Sequence, residues 1–199
     1  MAIFSEAEID EIKKLPGETI GSGIKEDLLF VLNKEGEKGL KKIEESLQAV
    51  GCPVKLKEVK SFRRYPFYYN YFLAESTKKI FNWTDDDFRE NGKYAAKVSA
   101  IVRVMLKYFI SPRQVLGAAT GFWKRYYTVG ELQVEEINEK EQRAIIVLKN
   151  FRGYNSFCRI AEGYLYQTLS YVVEKNNLKV IENECPLKGG KNHRFVATW

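Results

Sequence analysis

Apolar residues along the first half of the chain recur at helical spacing, with glycine and proline dividing the segments. A short helix is predicted over Ala7 to Leu15, stopped by Pro16-Gly17, and Gly21-Ser22-Gly23 reads as a linker. An apolar stretch from Ile24 to Leu32 follows, interrupted at Gly36 and Gly39. Leu40, Ile43, Leu47 and Val50 then mark one face of a helix that Gly51 ends. Val54, Leu56 and Val59 predict an extended stretch. From Phe62 to Phe81 the chain is aromatic, with Pro66 suited to a first helical turn and Phe67/Tyr71 and Tyr68/Phe72 four apart. Thr84 before Asp85, Asp86 and Asp87 is a helix start, a cap followed by acids at the positive end of the dipole, and Gly92 is expected to break that helix. Val98, Ile101, Val102, Met105, Leu106 and Phe109 predict a broad-faced, central helix from Tyr94. Ser111-Pro112 opens another, carrying Val115, Leu116, Ala119, Phe122, Trp123 and Tyr126.

Beyond Gly130 the period changes. Leu132, Val134 and Ile145 to Leu148 predict two strands about the turn Asn138 to Gln142. Asn155 then opens a helix through Ile160, Tyr164, Leu165, Leu169 and Val172/Val173. Leu178 to Cys185 and Arg194 to Trp199 make a second hairpin. Helices followed by a β-β-α-β-β unit predict an α+β fold with a four-stranded antiparallel sheet. The expected division is a helical leader over 1–60 and a helical plus β-β-α-β-β unit over 61–199, forming one compact body.

Composition narrows the function classes. Of 199 residues, 45% are hydrophobic and 14% aromatic, which excludes a disordered chain. The 32 Lys and Arg against 26 Asp and Glu give +6, which excludes an acidic solvating chain without identifying a nucleic-acid binder. The start has no basic segment followed by an apolar one, and no apolar run approaches the ~20 residues of a membrane span. Three cysteines without a CxxC pair are unlike a disulfide scaffold, so the chain reads as cytoplasmic and reduced.

The candidate chemistry is sparse. Cys158, Cys185 and His193 are soft or borderline metal ligands, with Glu162 or Glu184 as a possible carboxylate, and the second hairpin turn can bring Cys185 and His193 together. Against zinc, no pair has the short spacing of a zinc knuckle, and buried cysteines usually pack as small hydrophobes. Haem is disfavoured, because the single His193 sits in the basic turn Lys188 to Arg194 and not at an apolar pocket. A thiol nucleophile at Cys158 or Cys185 has no identifiable orienting acid. Phe62 to Phe72 with Arg63 and Arg64 offers rings for base stacking, but the acids that follow argue against nucleic acid, and core, pocket lining or dimer face are the other readings.

The order Phe122-Trp123-Lys124-Arg125-Tyr126-Tyr127, Gly130, Phe157-Cys158, Gly163-Tyr164-Leu165, Glu184-Cys185, Gly189 and Phe195 resembles the 4-vinyl reductase-like domain family. That family is grouped with the haem nitric-oxide-binding domain and the TRAPP vesicle-tethering subunits. The resemblance implies a helical subdomain packed on a four-stranded sheet with a crossing helix. It also implies a small hydrophobic ligand, a homodimer, and zinc held near the C-terminal hairpin, where His193 stands in place of a second cysteine. The haem sensors' Tyr-x-Ser-x-Arg motif is not matched, since Tyr154-Asn155-Ser156-Phe157-Cys158-Arg159 places the arginine one residue late. The expectation is therefore a non-catalytic, sensory small-molecule-binding module lined by Phe122, Trp123, Tyr126, Phe157 and Tyr164, residues that plain core packing would also explain. The alternatives are a dimerising scaffold without ligand, or a zinc- or thiol-dependent enzyme.

Overall fold

The computed structural model describes residues 3–105 and 107–199, without the side chains of Ile101 and Met105. The chain forms two compact units, one of residues 1–84 with 126–128 and one of residues 85–125 with 129–199.

The first unit is mainly helical. Helix α1 (Glu6–Lys13) opens on a capping box: the Ser5 hydroxyl accepts from the Glu8 amide at 3.2 Å, and Glu8 Oε2 accepts from the Ser5 amide at 2.7 Å. Strand β1 (Glu18–Ile20) pairs antiparallel with β2 (Arg64–Pro66), a ribbon that the apolar pattern did not reveal. Helix α2 (Gly21–Ala49) begins where a linker was expected. It is kinked at Gly36, whose φ of +70° is accessible to glycine at little cost, as the expected interruption requires. Helix α3 (Tyr68–Phe81) starts after Pro66, which lies in β2, and ends on left-handed Asn82. The aromatic cluster is resolved here: Phe67 and Phe72 are core residues, whereas Phe62 is 93% exposed.

The second unit carries the sheet. Helix α4 (Asp85–Val98) runs through Gly92 without breaking. Gly92 and Gly163 lie where α4 crosses α7 (Phe157–Leu169), and an added Cβ on either would collide with the other helix's backbone, at Ile160 O or Arg89 O. The glycine permits close packing rather than a stop. Among the described residues the long central helix expected from Tyr94 is divided: it is interrupted at Ser99 and resumes as the short α5 (Ala100–Met105). Val104, Tyr108 and Ile110 are exposed by 56%, 72% and 83%; Leu106 lies outside the described residues.

Helix α6 (Pro112–Tyr126) leads to β3 (Glu131–Asn138), β4 (Arg143–Lys149), α7, β5 (Lys179–Glu184) and β6 (His193–Thr198). The sheet is antiparallel in the order β3-β4-β6-β5, so the expected α+β class with a β-β-α-β-β unit is borne out. Leu116 of α6, Ala144 and Ile146 of β4, Leu169 of α7 and Phe195 and Ala197 of β6 form its core. Because side chains alternate along a strand, His193 shares the core face with Phe195 and Ala197. It is therefore not in the solvated basic turn but buried at the first residue of β6.

Candidate metal centre

Three elements converge at one end of the sheet. Ser156 precedes α7, placing Cys158 in its first turn. Strand β5 delivers Glu182 and, after a bulge between Glu182 and Glu184, the chain reaches Cys185; β6 begins with His193. The turn between the strands is closed by Glu184, whose Oε1 accepts from the amides of Lys191 at 2.8 Å and Asn192 at 3.0 Å. One turn of 3-10 helix, Pro186–Lys188, completes it.

The donor atoms of Cys158, Glu182, Cys185 and His193 all lie within 4.8 Å of one another. The two sulfurs are 3.6 Å apart, and Cys158 Sγ is 3.6 Å from His193 Nδ1. A tetrahedral zinc with ordinary bond lengths has S···S edges of about 3.8 Å and S···N edges of about 3.5 Å, so these two separations are close to it, whereas a donor set spanning up to 4.8 Å would have to draw in by about 1 Å at its widest. Glu182 Oε1 is 2.7 Å from Nδ1, a hydrogen-bond distance shorter than a ligand-to-ligand edge of about 3.3 Å. An entering ion would push that carboxylate back by roughly half an ångström. All four side chains are almost wholly withdrawn from solvent.

The surroundings suit an ion. His193 Nε2 lies 3.2 Å from the Arg152 carbonyl; with its proton on Nε2 the ring would donate there and turn the Nδ1 lone pair to an ion, which would then replace the Nδ1–Glu182 contact. The approach of that segment to the ring is close enough that a Cβ on Gly153 would sit 3.1 Å from Nε2, and Gly153 has φ +67°. Arg159 donates to Glu182 Oε2 at 3.3 Å and pairs with Glu162 at 2.9 Å; Glu162 also accepts from Arg89 at 2.9 Å and from the Glu182 amide at 2.8 Å. Burial, then the Glu182 carboxylate and Cys185, push the Cys158 thiol well above its ordinary range, the electrostatic situation that a bound cation reverses. Burial acts to raise Glu182, but His193, Cys158 and Arg159 outweigh it and hold that carboxyl below the usual range.

The structure thus brings Cys158, Cys185 and His193 together. It does not use Glu162 or Glu184 as the carboxylate: Glu162 is committed to two guanidiniums, and Glu184 closes the turn. Glu182 takes that place. Its spacing three before Cys185 was the available signal, masked by the polar run Glu182-Asn183-Glu184.

Of the proposed lining residues, Trp123 and Phe157 meet, with ring centroids 6.2 Å apart, and both pack on Phe151. Phe157 lies 5.5 Å from the His193 ring, so this aromatic wall adjoins the cluster. The Trp123 indole donates to Val129 O at 3.0 Å. Phe122 packs under Arg125, and Tyr164 is half-buried on α7. Tyr126 belongs to the first unit, where its hydroxyl donates to Glu26 at 3.4 Å. A cavity of about 440 Å³ lies between α6 and β3, lined by apolar Leu116, Val134 and Ile137 and by polar Arg113, Thr120 and Glu136.

No protein-family model matches the chain, and no curated protein matches it. Solved structures do. An H-NOX protein from S. oneidensis in the Fe(II) ligation state superposes with a TM-score of 0.71 at 12% identity, covering 90% of this chain and 95% of that one. A second S. oneidensis structure, in the Fe(II)NO state, gives 0.67 at 12% identity over 89% and 97%. The Fe(II) unliganded H-NOX protein from K. algicida gives 0.65 at 16% identity over 90% and 95%. These neighbours correct the expectation that disfavoured haem: their fold is one described in Fe(II) and Fe(II)NO ligation states, so the fold supplies no ground against haem. His193 itself does not fit an axial role, since Nδ1 faces Cys158 and Glu182 and Nε2 faces Arg152 O. It is the chain's single histidine. At these identities the likeness concerns architecture, and the chain has the fold of H-NOX domains.

Proposed function

We propose that the protein is a non-catalytic sensory module that binds a small hydrophobic molecule, built on the H-NOX fold around a zinc-type metal centre. The observation that carries the metal is the buried four-donor cluster of Cys158, Glu182, Cys185 and His193. Catalytic zinc keeps an open position for water or substrate, whereas four protein donors withdrawn from solvent describe a closed, structural site. The ion would tie α7 to the β5–β6 hairpin; its chemistry is cross-linking by coordination, with both thiols deprotonated. Such a site requires reduced cysteines, in keeping with a cytoplasmic setting, and the description agrees with the 4-vinyl reductase-like resemblance.

The cavity between α6 and β3 is the volume offered to the ligand. Its volume of about 440 Å³ falls within the range of small-molecule clefts, and it is open to solvent, with Leu116, Val134 and Ile137 beside the polar Arg113, Thr120, Glu135 and Glu136. Trp123 and Phe157 link the end of α6 to the metal cluster, so a ligand that shifts α6 would be felt there. Phe122 and Tyr164 are proposed to flank this arrangement. Native mass spectrometry of untagged protein tests the reading: a co-purifying small molecule together with a bound metal ion supports it. A bare chain that takes up neither apolar probes nor metal refutes it, and a Soret band in the same sample would assign haem instead. A second reading, a homodimeric scaffold, rests on the exposed Val104 of α5 and Tyr108 and Ile110 after it. Light scattering that shows a monomer removes it.

A further inference from the structure

The segment 51–63 between α2 and β2 is irregular but firmly built. Its inward residues Cys52, Val54 and Val59 are core, while Lys55, Lys57, Lys60, Phe62 and Arg63 face solvent. The first turn is closed by the Glu58 and Val59 amides donating to Lys55 O, each at 2.9 Å, and is fastened to α2 by the Leu56 amide donating to Glu44 Oε1 at 2.9 Å. The second is closed by the Arg63 amide donating to Lys60 O at 3.0 Å. It is fastened to the start of α2 by the Gly21 amide donating to Arg63 O at 2.8 Å and the Ser22 amide to Ser61 O at 2.9 Å. The Tyr65 hydroxyl accepts from the Lys60 amide at 3.1 Å. A side chain on Gly21 would collide with Lys60 O, so the turn rests directly on the helix.

At the tip of this braced turn stands Phe62, 93% exposed, the most exposed large hydrophobic residue among those described. Lys57, Lys60 and Arg63 around it make no ion pair among the described residues, and the nearby acid Glu58 is paired with Lys55 at 3.3 Å. A rigid turn thus holds one aromatic ring outward within a collar of uncompensated cations. Single-stranded nucleic acid needs successive rings to stack on, but the neighbouring Tyr65 ring is covered by Arg63 at 5.6 Å and packed on Tyr69 at 6.0 Å. A lone projecting ring with lysines that can lie along an apolar boundary suits the interface of a bilayer, where anionic headgroups attract the cations.

We propose that the 55–63 turn docks the protein on an anionic lipid surface, with Phe62 inserted below the headgroups and Lys57, Lys60 and Arg63 on lipid phosphates and carboxylates. No helix among the described residues is long and apolar enough to cross a membrane, and the attachment proposed is through this turn alone. The test is sedimentation of the full chain with phosphatidylcholine vesicles, with and without phosphatidylserine. Binding is expected only with phosphatidylserine and is expected to weaken with added salt. Phe62→Ser and the pair Lys57→Glu with Lys60→Glu should each lower the partition at least about tenfold while leaving the melting temperature unchanged. In Phe62→Trp, the added tryptophan's emission should shift to the blue and be quenched by brominated lipid. Equal binding to neutral vesicles, no binding to either, an introduced indole that brominated lipid fails to quench, or a preference for single-stranded RNA over vesicles that Phe62→Ser abolishes would each overturn the proposal.

Discussion

Gly163→Ala separates two opposed effects on one helix. In an unencumbered helix the change is favourable by about 1 kcal/mol, because alanine has the higher helix propensity. At Gly163 the new methyl would fall inside contact distance of Arg89 O, a backbone atom that cannot rotate away, so α4 and α7 must part by roughly an ångström. That separation strains the Arg89–Glu162 pair, held at 2.9 Å with the carboxylate 3% exposed, and loosens the packing around buried Phe88 and Ala96. Overpacking costs typically 1–3 kcal/mol and weakening the ion pair about 2 kcal/mol more; less the roughly 1 kcal/mol gained in propensity, the net expected loss is about 2–4 kcal/mol. Gly117→Ala on α6, where a Cβ meets nothing within 4 Å, is the control and is expected to be neutral or stabilising by up to about 1 kcal/mol. Urea unfolding followed by circular dichroism measures both. Equal, favourable changes at Gly163 and Gly117 would refute the close helix crossing.

Glu162→Gln leaves the Arg89 and Arg159 guanidiniums without their shared buried carboxylate and should cost about 3–5 kcal/mol, read by the same unfolding assay. Trp123→Phe removes the indole donor to Val129 O and Gly130 O and should cost about 1 kcal/mol; an unchanged midpoint would argue against that bond. Glu8 is held down from an ordinary 4.5 to about 2 by the Ser5 amide, then by Lys79 and the Ser5 hydroxyl. A depressed carboxyl stabilises the fold above its unfolded value, so protection of α1 should be complete above pH 4.5 and fade as pH falls towards 2. Ser5→Ala should move the NMR titration of Glu8 upward, whereas a wild-type Glu8 titrating near 4.5 would contradict the capping box.

Much of the second unit was legible because β5 and β6 alternate, β4 is one short apolar run, and its helices have clear starts. Glycines were the weak point. Gly92 and Gly21 read as breaks, yet both lie where another backbone approaches a helix, a tertiary fact without a local signature. The apolar face from Tyr94 misled in its length: its period is helical and Val102 is buried as expected, but the helix is interrupted at Ser99. At the candidate site, cysteine and histidine are rare enough to single out Cys158, Cys185 and His193. Glutamate is common, and only the register of β5 against β6, with its bulge, selects Glu182 over Glu184. His193 looked solvated among lysines and glycines, because strand alternation and not neighbouring composition decides which way it faces.

Elemental analysis of untagged protein purified without added metal tests the central claim most directly, with Cys158→Ser and Cys185→Ser measured beside it. A zinc-type centre gives close to one ion per chain, lost in both variants and accompanied by a lower melting temperature. A wild-type chain with no metal, which neither gains stability on zinc addition nor loses it on chelation, would contradict the claim.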